Sequence, residues 1–360
     1  FEFQGKAVMA SPLVVHSKNA ELRALRLQAL ANLFSSHGSN LQDCARLAWQ
    51  FLDGAGKLVV ASSEGVGAWD IVKGSADLRQ LSFWEEAKAA STLAPSPCGR
   101  QLAIGDMKGA VYVADMDTTL LGTPTLCVQG AVLSLAWSAA GRLLAVAGDS
   151  GDVAVIAATT QAVVRRLPHA NLVRMLAWKP RGNAELATVG AEGKLRLISP
   201  ARTGASSQMD KVVQLGTDAA LCVSWSACGR WVATGSDDHI VRIVDAESGA
   251  VEHEVYTGGW VDFIVWQPEV GSLVMAVASD DNKLRFIDAD RGSICSTVLH
   301  GGRLNDIAWS PTGRLATACA DGLVRVCNCT AGANATVERV FPSSDAAPCD
   351  HLAWSPAGSG

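Results

Sequence analysis

The octapeptide Ile307-Ala308-Trp309-Ser310-Pro311-Thr312-Gly313-Arg314 decides the fold, because its pattern, apolar-Ala-Trp-Ser-Pro-x-Gly-Arg, returns along the chain. Near-copies read Leu93-Ala94-Pro95-Ser96-Pro97-Cys98-Gly99-Arg100, Leu135-Ala136-Trp137-Ser138-Ala139-Ala140-Gly141-Arg142 and Val223-Ser224-Trp225-Ser226-Ala227-Cys228-Gly229-Arg230. Shorter ones read Leu47-Ala48-Trp49, Leu176-Ala177-Trp178-Lys179-Pro180, Ile264-Val265-Trp266-Gln267-Pro268 and Leu352-Ala353-Trp354-Ser355-Pro356. With Pro95 standing at the Trp position of its copy, successive spacings are 46, 42, 41, 47, 41, 43 and 45 residues. Self-similarity at such a period marks a repeat architecture.

Each unit has the same internal order. A short apolar strand ends in Trp, a Pro/Gly turn follows, and a second strand rich in Ala, Val and Leu comes next. An acidic tight turn such as Asp237-Asp238-His239, Asp280-Asp281-Asn282 or Asp321-Gly322 leads into an alternating third strand, as in Leu284-Arg285-Phe286-Ile287. A weaker fourth strand closes most units, for example Val251-Glu252-His253-Glu254-Val255. A four-stranded antiparallel sheet has two faces that only neighbouring units can cover, so radial packing of such sheets is expected.

On these residues the chain, from about 44 to 356, resembles the WD-repeat β-propeller family. The resemblance implies an all-β fold of four-stranded blades, seven complete repeats and the start of an eighth. The repeats are divergent: Trp69-Asp70 is the single literal Trp-Asp at that position, which elsewhere reads Ala114-Asp115, Val244-Asp245, Ile287-Asp288 and Cys327-Asn328. In the family a His lies nine residues before the first-strand Trp. His169 before Trp178 and His300 before Trp309 keep that spacing. The resemblance therefore implies two surviving hydrogen-bond networks, His169 with Thr188 and Glu192, and His300 with Thr317 and Asp321.

The expected organisation has three parts. Residues 1–43 hold possible blade-closing strands and an amphipathic helix over 19–34, where Leu22, Leu25, Ala29, Leu30 and Leu33 share a face. Residues 44–345 form the seven repeats. Residues 346–360 begin an eighth blade or a second module, and the mid-pattern ends suggest a fragment. Three insertions, 75–90, 199–209 and 330–350, read as loops, the first with a short helix around Glu85-Glu86-Ala87-Lys88.

Composition excludes several functions. Apolar residues make up 49% and charged residues 18% of the 360, so the chain can bury a core and is not disordered by composition. Every apolar run is interrupted well short of a membrane helix. A net charge of -5 argues against a dedicated nucleic-acid binder. The ten Cys form no metal-ligand spacing, so no metal or cofactor is expected. Buried free thiols favour a reducing compartment, the cytoplasm or the nucleus.

Catalysis is not expected either. Gly148-Asp149-Ser150-Gly151 resembles the nucleophile segment of trypsin-like proteases but shares the phase of the other acidic turns and has no His placed to activate Ser150. Gly65-Val66-Gly67 and Gly54-Ala55-Gly56-Lys57 lack the context of a phosphate loop. Two Tyr and seven scattered His do not make a converging site. What remains is a series of turn acids, Glu64, Asp106, Asp149, Glu192, Asp237, Asp238, Asp280, Asp281 and Asp321. In a propeller these turns share one face with the entrances to the first strands, where the residue four before each Trp (Arg174, Asp262, Asn305 and Asp350 among them) often contacts partners in this family. The expectation is a non-catalytic scaffold whose acidic top face takes a basic or mixed-charge protein segment, with neither membrane nor nucleic acid as direct ligand.

Overall fold

A computed structural model of the chain describes residues 46–352 except 53–54, 63–64, 72–77, 200–209, 270, 311, 329–334, 344–347 and 350. The helix expected over 19–34, the insertion at 200–209, Glu64, Asp350 and Trp354 lie outside the described residues.

Seven four-stranded antiparallel sheets follow one another along the chain, each built from four consecutive strands paired in sequence order. Blade 5 is typical: Ala220–Trp225, Trp231–Ser236, Ile240–Asp245 and Val251–Tyr256 run from the innermost to the outermost strand. The innermost strands of successive blades pack against each other from blade 1 to blade 7. Second strands are buried along nearly their whole length, as in Val274–Ser279, because both faces of the sheet are covered by neighbours. The cores accordingly lie between blades. Ala187, Leu195 and Leu197 of blade 4 pack with Val223, Trp225 and Val232 of blade 5, for instance.

The recurring octapeptide is a hydrogen-bonded turn between the first and second strands. Its Ser carbonyl accepts from the Gly N–H at Ser96/Gly99, Ser138/Gly141, Ser226/Gly229 and Ser310/Gly313. Its Ser Oγ accepts a second backbone N–H, from Gln101, Leu143, Trp231 and Arg314 respectively. The four glycines have φ between 67° and 79°, which a side chain with a Cβ rarely adopts.

In blades 3 to 7 the Trp that ends the first strand does more than fill the core. Its indole N–H crosses to the preceding blade and donates to the carbonyl just before that blade's own Trp position: Trp137 to Ala94, Trp178 to Ala136, Trp225 to Ala177, Trp266 to Ser224 and Trp309 to Val265, all at 2.8–3.1 Å. Blade 2 has Pro95 at this position and cannot donate. Its seam with blade 1 is closed instead by Trp84, whose indole N–H reaches Thr119 O at 3.1 Å.

Two expected loops contain outer strands. Leu78–Trp84 is the fourth strand of blade 1, followed by a 3-10 helix over Glu85–Ala87, so residues 75–90 are not a loop throughout. Thr336–Pro342 is likewise the fourth strand of blade 7. Its pattern is nearly all exposed, and an outermost strand with solvent beside it gives little apolar periodicity to read. On the far side of blade 7, Cys349 and Leu352 pack with Ala316, Ala318 and Val324. These are the places that Leu304 and Ile307 take against Ala276, Ala278 and Leu284 of blade 6.

The cross-blade indole bond is testable. Trp225→Phe keeps one aromatic ring but removes the pyrrole N–H and part of the core volume, leaving the Ala177 carbonyl without its donor, so unfolding stability should fall by about 1–3 kcal/mol, read as a lower urea midpoint at unchanged slope.

Candidate functional site

Among the described residues, the hairpins between second and third strands of blades 2, 3, 4, 5 and 7 build the same hydrogen-bonded turn. The N–H of the third turn residue donates to the last residue of the second strand, as His239 to Ser236, Gly193 to Gly190 and Gly322 to Cys319. That third residue has positive φ in every blade from 2 to 7, and His239 (68°) and Asn282 (65°) stand where the others have Gly.

The acids of these turns fall into two classes by position. At the second turn position, Glu192, Asp238, Asp281 and Asp321 each pair with the arginine four residues on, in the third strand: Arg196, Arg242, Arg285 and Arg325, at 2.5–2.7 Å. The spacing places the arginine two residues into the third strand, facing back to the turn. Burial alone would raise the Asp281 carboxyl, but hydrogen bonds from Arg285, Ser279 and Lys283 outweigh it and hold the group well below the ordinary carboxylate range. Asp321 behaves likewise through Arg325, Cys319 and the Leu323 N–H. At the first turn position stand Asp149, Asp237 and Asp280. Their backbone N–H groups donate to Ala131, Ala219 and Trp260, and among the described residues their carboxylates have no ion pair. Asp106 belongs to neither class. It ends the second strand of blade 2, is buried, and accepts the N–H groups of Lys108 and Ala110.

The residues four before the Trp differ in their surroundings. Asp262 is bound bidentately by Arg303 at 2.9–3.0 Å, and its carboxyl is raised by burial against the pull of that arginine. Asn305 donates its amide to Cys349 O at 3.0 Å. Arg174 is exposed. Ser150 Oγ lies 3.5 Å from Asp152 in an ordinary hairpin.

The two histidines sit inside their blades. His169 Nε2 shares a hydrogen bond with Thr188 Oγ1 at 2.9 Å and His300 Nε2 with Thr317 Oγ1 at 3.0 Å. Each Nδ1 meets a backbone carbonyl, Leu167 and Val298. The residue after each His donates its N–H to the turn acid, Ala170 to Glu192 and Gly301 to Asp321. Burial first, and the Arg325 charge second, push the His300 imidazole down to about 4.

Sequence reading missed two features here. The arginines were legible as a recurring acid-x-x-x-Arg spacing in four units. The exposure of Tyr256 and Trp260, 66% and 49%, carried no periodic signal.

Two consequences can be measured. Arg285→Met leaves the half-buried Asp281 carboxylate with only Ser279 and the more exposed Lys283 and should cost about 1–3 kcal/mol, whereas Asp280→Asn should change stability by less than about 0.5 kcal/mol; urea unfolding of both variants checks the division of the acids. For His300, the unfolded chain binds the extra proton near pH 6.5 and the folded chain only near pH 4. Its contribution is thus fully present above about pH 6.5 and is lost as pH falls toward 4, by up to about 1.4 kcal/mol per pH unit. Unfolding measured from pH 4.5 to 7.5 should show a shallower acid loss in His300→Gln than in the parent.

The model of the WD domain, G-beta repeat, matches residues 211–245 and 293–328. Each match runs from the outer strand of one blade through the first three strands of the next. No curated protein sequence matches the chain. Among solved structures, the C-terminal WD40 domain of Sif2 is 14% identical over 84% of this chain and 87% of its own, with a TM-score of 0.72. The computationally designed Ika8 protein is 16% identical over 86% and 89%, at 0.70. A chain of the Mitotic Checkpoint Complex is 20% identical over 72% and 81%, at 0.61. Two repeats match the family model, and the seven four-stranded sheets share the β-propeller fold of these solved WD40 domains.

Proposed function

We propose that the chain is a non-catalytic scaffold that holds protein partners within a multiprotein assembly, through the face carrying the hairpins between second and third strands. The observation that carries this reading is the division of the turn acids. Four carboxylates are spent on arginines inside the hairpins, and the same framework presents Asp149, Asp237 and Asp280 at the outer turn position. A basic or mixed-charge segment is the partner that complements such a rim. WD-repeat propellers are in general protein-interaction platforms, and one solved neighbour is part of a complex.

The groups that might serve acid–base chemistry support the same reading. His169 and His300 have both ring nitrogens engaged inside their own blades, which leaves neither ring free to take a substrate proton. The described cysteines are free thiols, in keeping with a cytoplasmic or nuclear protein.

Affinity co-purification from native extract tests this, with the parent compared to a variant carrying Asp149→Asn, Asp237→Asn and Asp280→Asn. Both should melt at closely similar temperatures. A stoichiometric partner retained by the parent and lost or strongly reduced with the variant is the expected result. Retention by both removes the acidic rim as the contact, and absence of any partner counts against the scaffold.

A further inference from the structure

The face just described is not uniform. Between blades 5 and 6 the chain turns through Tyr256-Thr257-Gly258-Gly259-Trp260, joining the outer strand of blade 5 to the inner strand of blade 6. Tyr256 is 66% and Trp260 49% exposed. At the position of Trp260, immediately before the inner strand, blades 2, 3, 4, 5 and 7 have Ala89, Ala131, Leu172, Ala219 and Arg303. Trp260 is therefore a local replacement by a large aromatic, where packing elsewhere is satisfied by smaller or charged residues.

The turn holding these rings is fixed. Thr257 donates its N–H and its Oγ1 to His239 O, and Oγ1 lies 2.9 Å from Gly259 O. Gly258 takes φ 83°. The His239 ring stands 6.1 Å from the Tyr256 ring. One of the unpaired carboxylates, that of Asp280, lies against the same turn. The Asp280 N–H donates to Trp260 O at 3.0 Å, and the Asp280 carboxylate lies so close to Gly259 that a Cβ there would collide with it. Asp237 starts the hairpin that carries His239. Asp238 shares Arg242 with Glu254, and Asp281 is paired with both Arg285 and Lys283, so the carboxylate without an ion pair that lies against this turn is that of Asp280.

We propose that this turn is a docking site for an arginine- or lysine-bearing peptide segment, whose cation lies against Trp260 and Tyr256 while Asp280 supplies the opposing charge. Exposed Trp and Tyr held on a rigid turn are the residue types that dominate binding energy at interfaces. An aromatic face attracts a cation directly, and most of all one partly desolvated by the contact. The adjacent Asp280 carboxylate favours the same ligand and disfavours an acidic one or a phosphate backbone. The site rests on the scaffold reading for its biological partner, but its chemistry stands separately.

The test uses fluorescence polarisation with a fluorescein-labelled Gly-Arg repeat peptide, a Gly-Glu peptide of equal length and a single-stranded RNA. The parent should bind the arginine peptide in preference to the other two, more weakly as salt rises. Trp260→Ala and Tyr256→Ala should each weaken binding several-fold, and Trp260→Ala by about tenfold. Trp260→Phe should retain part of it, and Asp280→Asn should lower both affinity and salt dependence. Asp149→Asn, on a distant blade, should change little. Thermal melts show that each variant is folded, and Tyr256→Ala serves independently if Trp260→Ala is not. No binding of the arginine peptide, equal binding by the parent and the folded aromatic variants, or preference for the Gly-Glu peptide or the RNA would each overturn the site. If the native partner is lost from the triple Asn variant but kept by a folded Trp260→Ala, the scaffold stands and the site is wrong. If peptide binding depends on Trp260 while no partner co-purifies, the site stands and the scaffold reading fails.

Discussion

The bond on which the rest of the structure depends is the indole N–H that leaves one blade and ends on the backbone of the one before it. A four-stranded sheet alone has two apolar faces and no reason to stop adding neighbours. The hydrophobic contact between blades is non-directional and would tolerate sliding. In blades 3 to 7 the first-strand Trp removes that freedom, since its ring packs between the sheets and its single donor has one carbonyl of the preceding blade to reach. Register between blades is set by this bond, and the position of every hairpin on the outer face follows from it. Where Pro95 breaks the series, Trp84 supplies a different indole bond across the same seam.

Rigidity then passes outward through charge. In blades 4 to 7 the hairpin acid and its arginine lie in one hairpin, so the pair fixes the turn against its own third strand. In blades 4 and 7 the same acid also receives the N–H that follows the buried His, tying the outer strand to the turn. Blades 5 and 6 have no His at that point, where the chain reads Gly216 and Thr257. There the arginine takes over: Arg285 bonds both Ser279 and Asp281, and Arg242 reaches Glu254 on the outer strand. One position is thus held by two chemistries, and in both the first turn residue lies outside the acid–arginine pair. An interaction surface made this way has little side-chain entropy left to lose in its supporting layer, which favours binding through preorganisation.

The sequence made the inner parts of each blade legible and the outer parts much less so. Trp225, Ser226 and Gly229 could be read directly because each is required by a bond or a backbone angle that recurs in most blades. The strand Thr336–Pro342 could not, since an exposed outer strand has no apolar alternation and its residues resemble those of a loop. Within the turns, the sequence showed where acids stand but not which are neutralised; that depends on turn position, since Arg285 reaches Asp281 at the second position and not Asp280 at the first. Trp260 was invisible for another reason. A single large aromatic at a position of small residues is core or surface according to what packs over it, and only the three-dimensional arrangement settles that.

The most direct measurement of the account is carbodiimide-driven crosslinking of the isolated native assembly, with the coupled residues read by mass spectrometry. Carboxylates paired with arginine inside a hairpin are poor coupling sites, whereas those at the first turn position are open to an amine of a bound partner. The account predicts zero-length crosslinks from Asp237 or Asp280 to lysines of the partner. Crosslinks confined to the outer strands, such as Glu252 or Glu338, with none from the hairpin acids, would contradict it.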